Sequence, residues 1–388
     1  MPWRRLLLRL HRWLGLVLAL PLLGVAISGA LLAAGKPLDE RLNASLFQAP
    51  ASKAVGAADV DVDVDVDVDA DADADADVDA VQAALRARYG ANTNTTLRLP
   101  QQPGESLRVF VRSPGFSGMA FFDPATARWL GQRGDTEGWW PWLFELHSEA
   151  LAGETGKNAL SLLAAGGIVL MLLGAAIAWP RRGRPALSVA WQAPVLRRFG
   201  DLHRVAGLIA VPLLLVLVLT GLYMAWTPLR GWVSHAVGER PFKPPALPPV
   251  ATPSTAAPPA LSLLVASAQA RWPEARVVYI TQRAAQPTRV RLKLNEDPHP
   301  NGLSSVWLDP RNGQELAHVR FDQLDAGQRW VSWIYPLHAA KWLPALQRPV
   351  WAVLGVVAAA LAASGAWLWW RRRTSRFSAP AAERPRCA

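Results

Sequence analysis

Apolar residues in this chain are gathered into four long blocks, over roughly residues 13 to 34, 159 to 179, 205 to 226 and 349 to 370. Each block is about 20 residues almost free of charge, and at 1.5 Å per residue a helix of that length spans the roughly 30 Å hydrocarbon core of a bilayer. Four transmembrane helices are predicted. The first block follows Arg4, Arg5 and Arg9 and is followed by the small residues "SGALLAAG", as a signal peptide would be. Its apolar stretch is longer than a signal core, however, and its near copy at 203 to 226 lies deep inside the chain, so the helix is read as retained.

Between the blocks lie two long polar segments, about 35 to 140 and 227 to 335, and within them shorter patterns recur. Residues 81 to 130 contain a helix-like "AVQAALRARY", a strand-like "SLRVFVR" and then "GMAFFDPATARWLG". Residues 262 to 318 contain "SLLVASAQARW", "TRVRLKL" and "SVWLDPRNGQELA". Each set predicts a helix followed by strands joined at an Asp-Pro turn. The apolar blocks recur as well. "LHRWLG" at 10 to 15 matches "LHRVAG" at 202 to 207, and at identical offsets Gly15 meets Gly207 and Ser28-Gly29 meets Thr220-Gly221. "WLFELH" at 142 to 147 matches "WIYPLH" at 333 to 338, after which Gly174 meets Gly365 and Trp179 meets Trp370. The reading is of two tandem units, each a helix, an external domain and a second helix.

Basic residues orient the chain. Arg4, Arg5, Arg9 and Arg12 precede helix 1, "WPRRGRPALSVAWQAPVLRRFGDLHR" joins helices 2 and 3, and "WWRRRTSRF" follows helix 4. By the positive-inside rule these three segments and both termini are cytoplasmic, which puts the two polar segments on the far side. The formal net charge of +11 is therefore mostly a matter of arginines at helix ends, which suit anionic lipid heads, and nucleic acid is not implied as a partner. Composition agrees with a membrane protein: 51% of the 388 residues are hydrophobic, with 19 Trp against 4 Tyr. The run "DVDVDVDVDVDADADADADVD" holds 11 of the 30 acidic residues. It lacks the Gly or Asn turns that would fold oxygens around Ca2+, so 58 to 80 is read as a disordered, solvated insert. A Pro-rich stretch from Arg240 to Ala260 is read as an extended linker.

Chemistry comes down to histidine. The one cysteine, Cys387, excludes an internal disulfide and a CxxCH haem attachment. Of seven histidines, His11, His147, His203 and His338 are matched members of the repeat, while His235, His299 and His318 have no counterpart. An interfacial histidine alone is commonly a side chain snorkelling at the headgroups. Here His11 and His203 begin helices at the cytoplasmic side, and His147 and His338 lie before helices 2 and 4 on the other. Two histidines per side match two bis-imidazole haem irons, one imidazole on each axial face. Zinc normally takes four ligands, and the nearby carboxylates are few (Glu145, Glu149, Asp201); copper would want a Met cluster in a chain with only four Met. Two non-covalent haem b groups fit better. Gly15, Gly207, Gly174 and Gly365 would let a flat macrocycle approach the backbone, or would serve helix packing. Arg12 and Arg204 are candidate partners of haem propionates, or topology anchors. Trp139, Trp140, Trp142, Trp330 and Trp333 read as an interfacial aromatic belt before a ligand platform.

Together "LHRWLGL", "ELHSEALAGETGKNA", "DLHRVAGLIAVPLLLVLVLTGLYMAW" and "PLHAAKW" resemble the four helix motifs of the PepSY-associated transmembrane family, iron-regulated inner-membrane proteins of Gram-negative bacteria. The resemblance spans about residues 5 to 373. It implies an α-helical membrane protein of four transmembrane helices in two tandem repeats, each carrying a small periplasmic α+β PepSY-like domain. On that reading, 1–34 holds the N-terminal tail and helix 1, and 35–138 the first external domain. The first histidine segment and helix 2 occupy 139–180, and a basic loop fills 181–202. Helix 3 covers 203–226, and the linker and second external domain cover 227–329. The second histidine segment and helix 4 take 330–370, with a basic tail at 371–388. Members include di-haem reductases of ferric siderophores, which implies haem ligation at His11, His147, His203 and His338 and a ferric siderophore as substrate. The electron donor is open between a quinol and a cytosolic reductase, and GxGxxG is absent as a dinucleotide fingerprint. A homo-oligomer is compatible with the sequence. Two other classes compete: a PepSY-domain envelope binding or regulatory protein without redox activity, and a siderophore permease, for which four helices with no broken, charged midplane are a poor path.

Overall fold

The computed structural model describes residues 2–49, 76–179, 187–240, 242–249, 258–297 and 299–377. Eleven helices occur among them: α1 (Pro2–Leu42), α2 (Ala44–Phe47), α3 (Val78–Tyr89), α4 (Trp139–Glu149), α5 (Gly153–Ala178), α6 (Val195–Ala225), α7 (Thr227–Ala236), α8 (Leu261–Arg271), α9 (Ala326–Ser332), α10 (Ile334–His338) and α11 (Pro344–Phe377). The strands are β1 (Asn94–Arg98), β2 (Leu107–Ser113), β3 (Phe116–Phe122), β4 (Trp129–Gly134), β5 (Arg276–Gln282), β6 (Thr288–Lys293), β7 (Ser304–Leu308) and β8 (Glu315–Val319). Two compact units divide the described residues. One draws on Met1–Ala34, Leu143–Trp232 and Leu337–Ala388, the other on Gly35–Trp142 and Val233–Pro336.

The first unit contains the four expected spans. Helices α1, α5, α6 and α11 are each long and apolar enough to cross a membrane. Each is longer than its apolar block; α1 alone has 41 residues. Lipid tails give apolar helices no solvent-driven reason to associate, so close approach at small residues has to supply the packing. Gly15 faces Leu170, and Gly166 and Gly167 face Leu18 and Leu22, which brings α1 against α5. At Gly355 of α11 a side chain would stand 2.8 Å from Ala30 Cβ and 2.9 Å from the Ala26 carbonyl, so only glycine allows α1 and α11 to approach this closely. Ala210 and Leu214 of α6 pack with Leu354 of α11, bordered by Met171, Trp351 and Leu361.

The second unit is built on one antiparallel sheet of eight strands in the order β4-β3-β2-β1-β5-β6-β7-β8. One face is covered by α3 and α8. Val81, Leu85, Leu261, Leu264 and Ala268 from those helices meet Leu97, Val109, Val111, Ile280, Val290, Leu292 and Val306 from the strands. Each Val, Leu or Ile among them, fully withdrawn from water, contributes about 1.5–3 kcal/mol. Asp77 caps α3 by accepting from the Ala80 N–H at 2.9 Å, and Gly90, at φ 88°, ends it. The Asp-Pro dipeptides form the turns from β3 to β4 and from β7 to β8. Asp123 accepts from the Ala125 and Thr126 N–H groups, and Asp309 from that of Arg311. Two buried oxygens of Asp39 accept from Arg133 at 2.9 and 3.2 Å, a forked pair with both partners largely out of water.

Two expectations need correction. The external segments were expected as two small folded pieces, yet β1 and β5 pair directly, Leu97 opposite Ile280, and make one continuous sheet. Neither central strand announces itself in the sequence: "NTTLR" is mostly polar and "RVVYITQ" lacks clean alternation. The acidic insert was expected as solvated from 58 to 80. Its end is not, because Asp77 caps α3, Val78 is buried and Asp79 accepts from the Ser262 N–H at 3.0 Å. The rest of that insert through residue 75, Arg181 and Arg182, and Cys387 lie outside the described residues. Of the Pro-rich linker, residues 242–249 and 258–260 carry no helix or strand.

Candidate functional site

All four matched histidines belong to the first unit, and they meet as two pairs. The ring centres of His11 and His203 are 6.5 Å apart with planes at 75°, and those of His147 and His338 are 6.3 Å apart at 38°. Both pairs form within a single chain, each joining a histidine from the first half of the sequence to its counterpart in the second. Two imidazoles on opposite sides of one metal ion stand about 6 Å apart, from metal–nitrogen bonds of about 2 Å and roughly 1 Å more to each ring centre. Both separations match that figure.

Each ring rests on a glycine of a neighbouring helix, in a reciprocal pattern. His11 of α1 lies against Gly174 of α5, while His147 lies against Gly29 of α1. His203 of α6 lies against Gly365 of α11, while His338 lies against Gly221 of α6. A Cβ at these glycines would stand 3.0, 3.0, 3.4 and 2.9 Å from the respective imidazole Cε1, so three of the four seats exclude even alanine without a shift. Here the expectation about glycine is corrected in part. Gly174 and Gly365 seat imidazoles, whereas Gly15 and Gly207 face Leu170 and Leu361 and serve helix packing.

The rings are oriented through Nδ1. His11 Nδ1 lies 3.1 Å from the Leu170 carbonyl, His147 Nδ1 2.9 Å from Ser28 Oγ, and His203 Nδ1 2.9 Å from Ser364 Oγ. His338 Nδ1 is 3.1 Å from both Thr220 Oγ1 and the Leu217 carbonyl. A carbonyl can only accept. The three hydroxyls use their own protons on helix carbonyls, Ser28 on Val25, Ser364 on Leu361 and Thr220 on Val216, and so they accept from the ring as well. In all four histidines Nδ1 is therefore the protonated nitrogen, and Nε2 keeps its lone pair. A hydrogen bond on one ring nitrogen that leaves the other for a metal is the usual outer-sphere arrangement of a ligating histidine.

Local structure fixes the histidines that precede α5 and α11. The chain turns after α4 through Ala150 and Leu151, both at positive φ, and Gly156 comes so close to the Glu149 carbonyl that no side chain fits. Lys157 ties the same turn by an ion pair of 2.7 Å to Glu149. At the end of α10, the Leu337 carbonyl accepts from Gln347 Nε2 at 2.7 Å and from Trp351 Nε1 at 2.8 Å, which holds the neighbouring His338 in place. Sequence reasoning missed Gln347 and Trp351, since neither has a recurring partner. It matched Ser28 with Thr220 but gave the hydroxyls no task, although a hydroxyl beside a glycine at identical offsets was the available signal.

The two arginines behave differently. Arg12 is exposed. Arg204 donates to the Ser188 carbonyl at 2.7 Å and faces Asp201 at 3.6 Å, and with Leu196, Arg197, Gly200, Asp201 and Arg372 it lines a cleft of about 370 Å3. No group of three or more His, Cys, Asp or Glu side chains able to hold a metal ion occurs among the described residues. Each pair offers two ligands and no more, which is too few for a tetrahedral zinc site and suits a metal that brings its equatorial ligands with it. Of the unmatched histidines, His318 pairs with Glu315 at 2.6 Å and with Arg271, and His299 stacks on Tyr335, both in the second unit.

Four bilayer-length helices and two histidine pairs in one unit, with an α+β sheet unit on the intervening segments, define a multi-pass membrane protein. The chain belongs to the family described as the PepSY-associated TM region, which matches residues 8–372. A comparison with curated proteins finds no match.

Proposed function

We propose that this protein is a ferric-siderophore reductase of the bacterial inner membrane, built as two tandem units, with both termini cytoplasmic and the sheet unit periplasmic. It holds one haem b between His11 and His203 and a second between His147 and His338. The observation that carries this reading is the pair of matched histidine couples at 6.5 and 6.3 Å, each ring protonated at Nδ1 by its bonding and free at Nε2. Bound haem would supply a one-electron iron couple at each level.

The chain's own residues hold and exclude. Leu170, Ser28, Ser364 and Thr220 fix the tautomer and plane of each imidazole, and the glycine seats let the rings lie against the neighbouring helix. In the helix stretches between the two histidine levels, Leu18 and Leu22 pack on Gly166 and Gly167, and Leu214 packs with Leu354. At the acceptor, Fe3+ in a siderophore is held by hard oxygen ligands, and one added electron gives Fe2+, which the same ligands hold less tightly. No nucleophile or general base is required. The electron comes from a quinol or a cytosolic reductase.

A dithionite-reduced minus oxidised spectrum of detergent-purified protein tests the reading. Low-spin b-type bands at about two haems per chain, falling by about one in His203→Ala and by about one in His338→Ala, are expected. A colourless protein from cells grown with ample haem would overturn it in favour of an envelope binding protein without redox activity.

A further inference from the structure

The sheet face turned away from α3 and α8 carries a row of large polar side chains. Across β2, β1, β5, β6 and β7, Arg108 stands opposite Arg98, Arg98 opposite Tyr279, Tyr279 opposite Arg291, and Arg291 opposite Ser305. One register step on, Thr281 stands opposite Arg289, and Arg289 opposite Trp307. The two ends of this face are neutralised differently. Arg98 pairs with Glu105 at 2.8 Å, and Arg108 pairs with Glu105 at 2.9 Å and Glu40 at 3.5 Å. Neither Arg289 nor Arg291 has a carboxylate within ion-pair distance among the described residues. Arg289 donates from Nε and Nη2 to Ser305 Oγ, at 3.1 and 2.9 Å, and lies over the Trp307 ring at 5.0 Å. Arg291 lies 5.9 Å from the centre of the Tyr279 ring. Asp297, the nearest acid to bear on Arg291, is occupied by the N–H groups of His299 and Leu303.

Two half-buried guanidiniums on alternate residues of one strand repel each other and lose hydration without a counter-charge in return. Burial, with Arg291 and Arg283 alongside, lowers the Arg289 pKa to about 9, so the charge is retained at neutral pH at a cost. Such an arrangement is stabilised when a ligand brings the missing negative charge, and planar guanidiniums over aromatic rings present forked donors to carboxylate, phosphate or catecholate oxygens. We propose that Arg289 and Arg291, positioned by Tyr279 and by the buried Ser305 and Trp307, form a binding site for a polyanionic, oxygen-rich ligand. Resting on the reductase reading, the ferric chelates this chain selects are then negatively charged ones.

Gallium(III) chelates test this without any redox step, because gallium is not reduced where iron is. Binding of a trianionic hexadentate gallium tris-catecholate and of a neutral gallium tris-hydroxamate is compared on the detergent-purified full chain by calorimetry. The anionic chelate is expected to bind at least about tenfold more tightly, the worth of one charge-assisted hydrogen bond. That preference is expected to shrink with added salt and to vanish in Arg289→Gln/Arg291→Gln. Arg291→Gln alone, which removes a side chain with no hydrogen bond among the described residues, covers the case in which the double variant fails to fold, and Arg291→Lys is expected to retain the preference. Equal binding of the two chelates, or a preference that survives both Gln variants, would overturn the site. A colourless protein with intact anionic preference would instead remove the reductase reading and leave the site standing.

Discussion

The pair His11/His203 and the pair His147/His338 have almost the same ring separation and are built by different means. In the second pair both rings are held by hydroxyls, of Ser28 and Thr220, that stand next to the glycines seating them. In the first pair His203 uses the Ser364 hydroxyl, whereas His11 reaches the bare Leu170 carbonyl because Leu173 stands where the other half has Ser364. The planes follow suit, at 38° in the second pair and 75° in the first. What is common to the two is the distance and the free nitrogen; what differs is how tightly the orientation is specified.

Closing a seat is the largest way to break the comparison. Gly221→Val places a branched side chain where even a Cβ would be 2.9 Å from His338, and haem content is expected to fall from about two to about one per chain with the first pair unaffected. Retention of both haems in this variant would show that the seat does not matter. Within the first pair the seats are unequal, at 3.0 Å for Gly174 and 3.4 Å for Gly365. Gly174→Ala is therefore expected to loosen its haem measurably in a competition assay with a haem-scavenging protein, and Gly365→Ala to leave retention near wild type. Removing the hydroxyls comes next: Ser28→Ala and Ser364→Ala, which take away the hydroxyls bonded to His147 and His203 Nδ1, are each expected to weaken haem binding by roughly 10–100-fold, the usual worth of an outer-sphere partner. The smallest effect belongs to Thr220→Ala, since His338 Nδ1 keeps the Leu217 carbonyl at 3.1 Å, as His11 has that of Leu170. A redox titration that found Thr220→Ala as damaging as Ser28→Ala would show that the Leu217 carbonyl does not hold the ring.

Much of this was legible from the chain alone. Hydrophobic length gave the four spans, and the recurrence of His11 and His203, and of His147 and His338, singled out the four side chains while leaving open whether each pair closes within one chain. The recurrence could not give their partners, because Leu170 acts through a backbone carbonyl that any residue would offer. Gly15 and Gly207 were as well matched as Gly174 and Gly365, and only the packing separates helix contacts from imidazole seats. In the sheet unit the strong alternation of "TRVRLKL" was readable, but the central seam was not. β1 and β5 are joined by backbone hydrogen bonds between strands far apart in sequence, and Asn94–Arg98 carries no apolar pattern to announce it.

That seam has a consequence for how the molecule is made. The ribosome delivers β1 long before β5, and α5 and α6 must be threaded into the bilayer in between. At about 5–20 residues per second the wait lasts on the order of ten seconds or more. Throughout it the half-made sheet shows an open edge, the kind of surface on which another nascent chain can dock. The newborn protein is thus most vulnerable to mispairing midway through synthesis, and a chain stopped before Arg276 would be left permanently in that condition.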